Sequence, residues 1–155
     1  MIGPEEVLSF WLDDVGPEGW YDTDPALDAK IEEKFLSAWQ GAAEGRFSLW
    51  LTYPSGTLAY IILTDQFPRN IFRGSGKAFA TDAPALAAAK AAIHKRWDKR
   101  IDAPARQFFY LPLMHSENLC DQDRCVRLMV ERLPDCGANL LHARAHREVI
   151  RQFGR

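Results

Sequence analysis

Apolar residues recur along most of this chain at intervals of three and four, the spacing that lays one stripe along an α-helix. Val7, Leu8, Phe10, Trp11 and Leu12 follow Pro4, a residue suited to a first helical turn, and predict a helix near residues 4–13. Asp24-Pro25 joins a capping residue to a first-turn proline. From there Ile31, Phe35, Ala38, Trp39 and Ala42 carry a second helix to about Glu44, and Gly45 stops it. After the turn Tyr53-Pro54-Ser55-Gly56, the run Leu58, Ile61, Ile62, Asp65 has helical spacing. Its β-branched content would also suit a buried strand, but no second strand exists to pair with it. Phe67-Pro68 is expected to end that helix, and Arg69 to Gly76 to form a connector.

Thr81-Asp82 caps the alanine-rich run PALAAAKAAIHKRW, whose straight-chain and Ala content favours helix strongly. Asp102-Ala103-Pro104 opens the next segment, with Phe108, Phe109, Leu111, Leu113 and Met114 behind it. Pro112 lies inside that pattern. Because an interior proline costs about 3 kcal/mol in a regular helix, a kink or early end is predicted near Tyr110. Asp121 to Leu133 and Ala138 to Phe153 complete the series, with Gly154 as a C-terminal stop. The pattern predicts an all-α fold of about seven helices in antiparallel pairs, one domain over residues 1–155, with no strict repeat at the period of about 34 residues typical of tetratricopeptide arrays. Trp11, Phe35, Trp39, Ile62, Phe67, Phe108, Leu111 and Leu128 fall on the apolar stripes and are the expected core anchors.

Composition adds limits on function. No apolar run approaches the roughly 20 residues needed to cross a bilayer, and the stretch from Met1 to Asp14 carries acids where a secretory signal carries bases, so no membrane association is expected. Three cysteines, Cys120, Cys125 and Cys136, with no Cys-x-x-Cys pair, fit a reducing cytoplasm, and Cys120 and Cys125 read as small core hydrophobes. The net charge of −2 hides an asymmetry: residues 1–45 hold 11 acids and 2 lysines (−9), and residues 46–155 hold 10 acids and 17 bases (+7). Packing of the acidic segment on the basic body would neutralise much of its field. Without interleaved aromatic and basic residues, a nucleic-acid partner is not expected.

Polar residues crowd into three places where the pattern asks for core or a plain turn. Asp65, Gln66, Arg69, Asn70 and Arg73 follow an apolar helix; Arg offers paired donors to phosphate or carboxylate, and Asp65 can orient one of them. The competing reading is a buried turn that satisfies its own backbone. His115-Ser116-Glu117 could supply a general base and a nucleophile, or equally a helix N-cap. His142 and His146, spaced i, i+4, share a helix face. With no Glu in the H-E-x-x-H arrangement, and with arginines at 144, 147, 151 and 155 repelling a cation, neither a metal nor another cofactor is expected.

The runs LTDQFPRNIFRG (63–74), AFATDA (78–83), FFYLPLMHSENLCDQDR (108–124) and HREVIRQFGR (146–155), with LSFWL (8–12) and GWYDTD (19–24), occur in order and resemble the domain of unknown function 924 family. The resemblance implies a tetratricopeptide-like α-α superhelix, bacterial in the main, with no assigned activity. It maps the family's recurring polar set onto Asp65, Gln66, Arg69, Asn70, Arg73, Asp82, His115, Glu117 and His146. Members usually continue past the FGR with a further His- and Arg-containing segment, so a site completed by such a segment would be incomplete in this chain. From these residues the expected function is a polar pocket for a small anionic ligand: Arg69 and Arg73 hold the anion, with Gln66, Asn70, Asp82 and His146 beside it. In that picture Asp65 and Asn70 position the arginines, and His115 with Glu117 exchanges protons in a hydrolysis. The alternative is a tetratricopeptide-like module that binds a peptide or protein along its groove.

Overall fold

The computed structural model describes residues 2–134 and 137–154; Cys136 and Arg155, named above, lie outside them, as does Met1. Helix is the only regular structure among the described residues. Helix α1 (Pro4–Leu8) runs on through a π-helical turn, Ser9–Val15, and α2 (Pro25–Ala43) follows. Next, α3 (Pro54–Ile61) continues through a second π-helical turn, Ile62–Gln66, into α4 (Phe67–Ile71). Helices α5 (Asp82–His94), α6 (Leu111–Met114), α7 (Leu119–Arg132) and α8 (Gly137–Phe153) complete the chain. With α3 to α4 taken as one rod, these are seven helices among the described residues, and short 3-10 turns fill several connections.

Local chemistry explains the starts. The Asp24 carboxylate accepts the Ala26 N–H at 3.0 Å with Pro25 at the first turn of α2, as the sequence predicts. Asn118, rather than Ser116, caps α7, its side chain accepting the Cys120 N–H at 2.8 Å. Thr81 occupies the N-cap position of α5, but its hydroxyl bonds elsewhere. The break predicted near Tyr110 is present: the 3-10 turn Ala105–Phe109 ends there, and Pro112 stands in the first turn of α6, where an N–H is not required.

Pro68 is the larger departure from the sequence pattern. It was expected to end a helix, yet the rod passes through it. A proline has no N–H to give the preceding turn, and side chains bond the carbonyls there instead. Thr81 Oγ1 donates to the Thr64 carbonyl at 2.6 Å, and Arg69 Nη1 donates to the Asp65 carbonyl at 2.8 Å. The widened π turn gives these side chains access, a common role for such turns at functional sites. Thr81 also accepts the Trp39 indole N–H at 3.0 Å, so one hydroxyl ties α2, the α3–α4 rod and the start of α5 together.

All eight expected anchors are buried. Phe35 and Phe67 lie 4.7 Å apart between ring centres, and Trp11 meets Phe67 and Phe108 edge-on at 5.6 and 6.0 Å. Gly56 lets α3 close on the Ser48–Thr52 turn: a Cβ there would stand 2.4 Å from the Trp50 carbonyl oxygen. Helices α7 and α8 pack together, as do α2 with α4 and α3 with α5. Of the cysteines, Cys125 is buried and its thiol meets the Tyr110 carbonyl at 3.4 Å. Cys120 is exposed and is not the core residue expected. No helix among the described residues is long and apolar enough to cross a membrane.

Candidate functional site

Two cavities open side by side where the α3–α4 rod, α5, α6 and α8 meet. The larger, about 710 Å³, has Phe79, Leu86, Pro112 and Ile150 among its walls with Asp82, Glu117 and Gln122. The smaller, about 390 Å³, is lined by Trp20, Tyr21, Gln66, Asn70, Arg73 and His142, among others. Arg69, Met114, His115 and His146 line both, so these four side chains form the ridge between two lobes of one depression.

Beneath the ridge sits Asp65, only 2% exposed. Its carboxylate accepts from His115 Nδ1 at 2.9 Å and from Arg69 Nη1 at 3.3 Å. A buried charge needs such partners, and their geometry fixes both side chains. With Nδ1 turned to Asp65, Nε2 is the His115 nitrogen left for the cavity. The turn that carries His115 is itself clamped, because the buried Gln122 amide donates to the Met114 and Ser116 carbonyls at 2.6 and 2.5 Å. Gln122 Oε1 has no hydrogen-bond partner among the described residues.

Arg69 is held on its other side by Asp82, Nη1 to Oδ1 at 2.8 Å and Nη2 to Oδ2 at 3.0 Å. The Phe79 ring lies 5.3 Å from its guanidinium carbon. Among the described residues, only Nε and one Nη2 hydrogen remain unengaged. Arg73 is likewise paired, donating to both oxygens of Asp28 at 2.8 and 3.1 Å, and Asn70 Nδ2 joins it at 3.0 Å. Partial burial opposes ionisation of Asp28, but the hydrogen bonds from Arg73 and Asn70 prevail and hold its carboxyl below the ordinary value. This contact also joins the acidic N-terminal segment to the basic body, as the charge count suggests.

His146 stands at the open rim. Desolvation, followed by the neighbouring His115, His142 and Arg69, lowers its pKa from the usual 6.5, which favours the neutral ring at neutral pH.

The expected set is therefore gathered, with altered partnerships. Asp65 and Asp82 position Arg69, while Asn70 bonds Gln66 and Asp28 rather than an arginine. The partner of His115 is Asp65, not Glu117, which is exposed on the wall of the larger lobe. Ser116 turns away from His115 and donates to Asp121 at 2.7 Å, where Lys90 also binds, so no activated serine results. Sequence reasoning missed Asp28, Tyr21 and Phe79. Tyr21 and its loop are fixed from a distance, Tyr21 by its hydroxyl on Gln107 and Trp20 by its indole N–H on the Trp11 carbonyl at 2.8 Å. Only the GWYDTD run hinted at that loop.

Among curated proteins no relative matches this sequence. A solved protein of unknown function from Agrobacterium tumefaciens is similar, with 37% identity and a TM-score of 0.92 over 98% of this chain and 84% of that one. The model of the family described as bacterial protein of unknown function (DUF924) matches residues 7–155, and the chain belongs to that family.

Proposed function

We propose that the two-lobed depression binds a small anionic ligand and that His115, oriented by Asp65, hydrolyses it. The observation that carries this reading is the buried Asp65 carboxylate on His115 Nδ1, which leaves Nε2 as the ring nitrogen available to the cavity that His115 lines. A water at Nε2 gives up a proton to that nitrogen as its oxygen bonds to the ester carbonyl or phosphoryl centre. The ester bond then breaks, and the proton passes to the departing alkoxide, so acid and alcohol are the products. The unengaged hydrogens of Arg69 lie on the same ridge and stabilise the charge on the reacting oxygen. A reducing, cytoplasmic setting fits the cysteine usage.

Hydrolysis of p-nitrophenyl acetate and p-nitrophenyl phosphate tests it. His115→Gln should lower kcat/KM about 10²- to 10³-fold, the scale of a positioned general base, with the helical circular dichroism spectrum unchanged. Equal rates in wild type and H115Q would refute the assignment. The alternative, a tetratricopeptide-like interaction module, draws on the exposed apolar side chains Leu141, Val149 and Phe153 of α8. In that case alanine at all three abolishes partner binding and leaves the cavity's ligand affinity alone.

A further inference from the structure

The two lobes differ in character, and α8 shows the difference along one face. Asn139, His142, His146 and Ile150 follow at intervals of three, four and four, so they form a single stripe, and all four line the depression. At 1.5 Å per residue the stripe is about 16 Å long. It is polar at Asn139 and His142, reaches the ridge at His146, and becomes apolar at Ile150. The opposite wall follows the same order: Gln66, Asn70 and Arg73 face the first end, and Phe79, Leu86 and Pro112 the last.

Charge follows the same axis. With His neutral, the residues lining the smaller lobe, Arg69, Arg73 and Asp22, sum to a formal +1, which Asp28 behind Arg73 brings to zero, and those lining the larger, Arg69, Asp82 and Glu117, sum to a formal −1. Arg73 spends Nε and Nη2 on Asp28, and among the described residues Nη1 is unengaged.

From this we infer that one amphiphilic molecule occupies both lobes, its carboxylate or phosphate beside Arg73 and His142 and its hydrocarbon portion against Leu86 and Ile150. The linkage between the two ends lies across the ridge at His115. This deepens the hydrolytic reading by naming the substrate class: an anionic head joined to an apolar tail through an ester. A ligand small enough for one lobe would leave the other wall's polarity unmatched, whereas a two-ended ligand meets both.

The test is binding alone, so it stands apart from any turnover by His115. Two series, n-alkyl phosphates and n-alkanoates of increasing chain length, are titrated calorimetrically, with inorganic phosphate and acetate as head-only probes. Affinity should rise about fourfold per methylene, the transfer value for a buried CH₂, until the larger lobe is full. Leu86→Trp, which fills that lobe, should flatten the slope, and I150W should do the same if L86W fails to fold. Arg73→Gln should weaken every member of the preferred series by a similar factor, and the series with the tighter head identifies phosphate or carboxylate. A flat slope, a slope that survives L86W and I150W, or affinities indifferent to R73Q would overturn the two-ended ligand. The His115 reading would then be judged separately on short esters.

Discussion

Thr81→Val gives the sharpest test of how the site is built. The substitution keeps shape and removes one hydroxyl, a group that donates to the Thr64 carbonyl at 2.6 Å and accepts the Trp39 N–H at 3.0 Å. Thr81, Thr64 and Trp39 are all buried, so water replaces neither bond. Each buried polar group left unpaired costs about 1–3 kcal/mol, so two orphans together should cost about 3 kcal/mol. For a chain of this length that lowers Tm by about 6–12 °C. Urea denaturation monitored at 222 nm measures it, with Thr81→Ser, which keeps the hydroxyl, as the control. A T81V midpoint equivalent to a loss below about 0.5 kcal/mol would show that the hydroxyl does not stand in for the missing proline donor. Because Asp82 follows Thr81 directly, T81V should also loosen the grip of Asp82 on Arg69 and weaken binding of the alkyl phosphates.

Asp65→Asn should lower kcat on a short ester by about 10², the lower end of general-base contributions, because the group orienting His115 loses its charge; an undiminished kcat would contradict the pairing. Asp28, whose carboxyl is held below its ordinary value of 3.8 by Arg73 and Asn70, contributes stability that is fully present above pH 3.8 and lost as pH falls through the lower folded value. Wild type should therefore exceed Asp28→Asn in denaturation midpoint by a constant margin down to about pH 4, the margin shrinking below it; a margin that grew in acid would reverse the sign of the linkage. Gly56→Ala places a Cβ 2.4 Å from the Trp50 oxygen, and the strain, at the upper part of the usual range of about 1–3 kcal/mol because the clash is with backbone, should exceed the roughly 1 kcal/mol that alanine gains as a helix former, so that the urea midpoint falls.

The helical periodicity was enough to read the class of fold and the core, because stripes of Trp, Phe and Ile at three- and four-residue intervals have only one way to be buried together. Trp39 and Phe67 illustrate this, each predicted on its stripe and each found inside. Pairings across the chain were harder. Asp28 lies on a polar face of α2 with nothing nearby in sequence to mark it, and its partner Arg73 is 45 residues away. Proximity in sequence misled in the case of His115 and Glu117, since a helix terminus turned the two side chains apart and left Asp65, 50 residues distant, against the ring. Pro68 was misread for a related reason: its local effect is to stop a helix, and the compensation comes from Thr81, 13 residues on, which no local rule anticipates.

The π-helical turn Ile62–Gln66 has one more consequence, for the lengths this protein can tolerate. A widened turn carries an extra residue relative to the α-helix on either side, so deleting one residue there restores a regular helix and rotates everything after it by about 100° relative to what comes before. Asp65 and Arg69 would then be carried away from His115 and Asp82 without any change in their identity. By contrast, the exposed turn near Gly74 and Gly76 can gain or lose a residue and leave the ridge in place. Insertions and deletions among homologous chains should therefore be absent from residues 62–69 and concentrate just beyond Arg73.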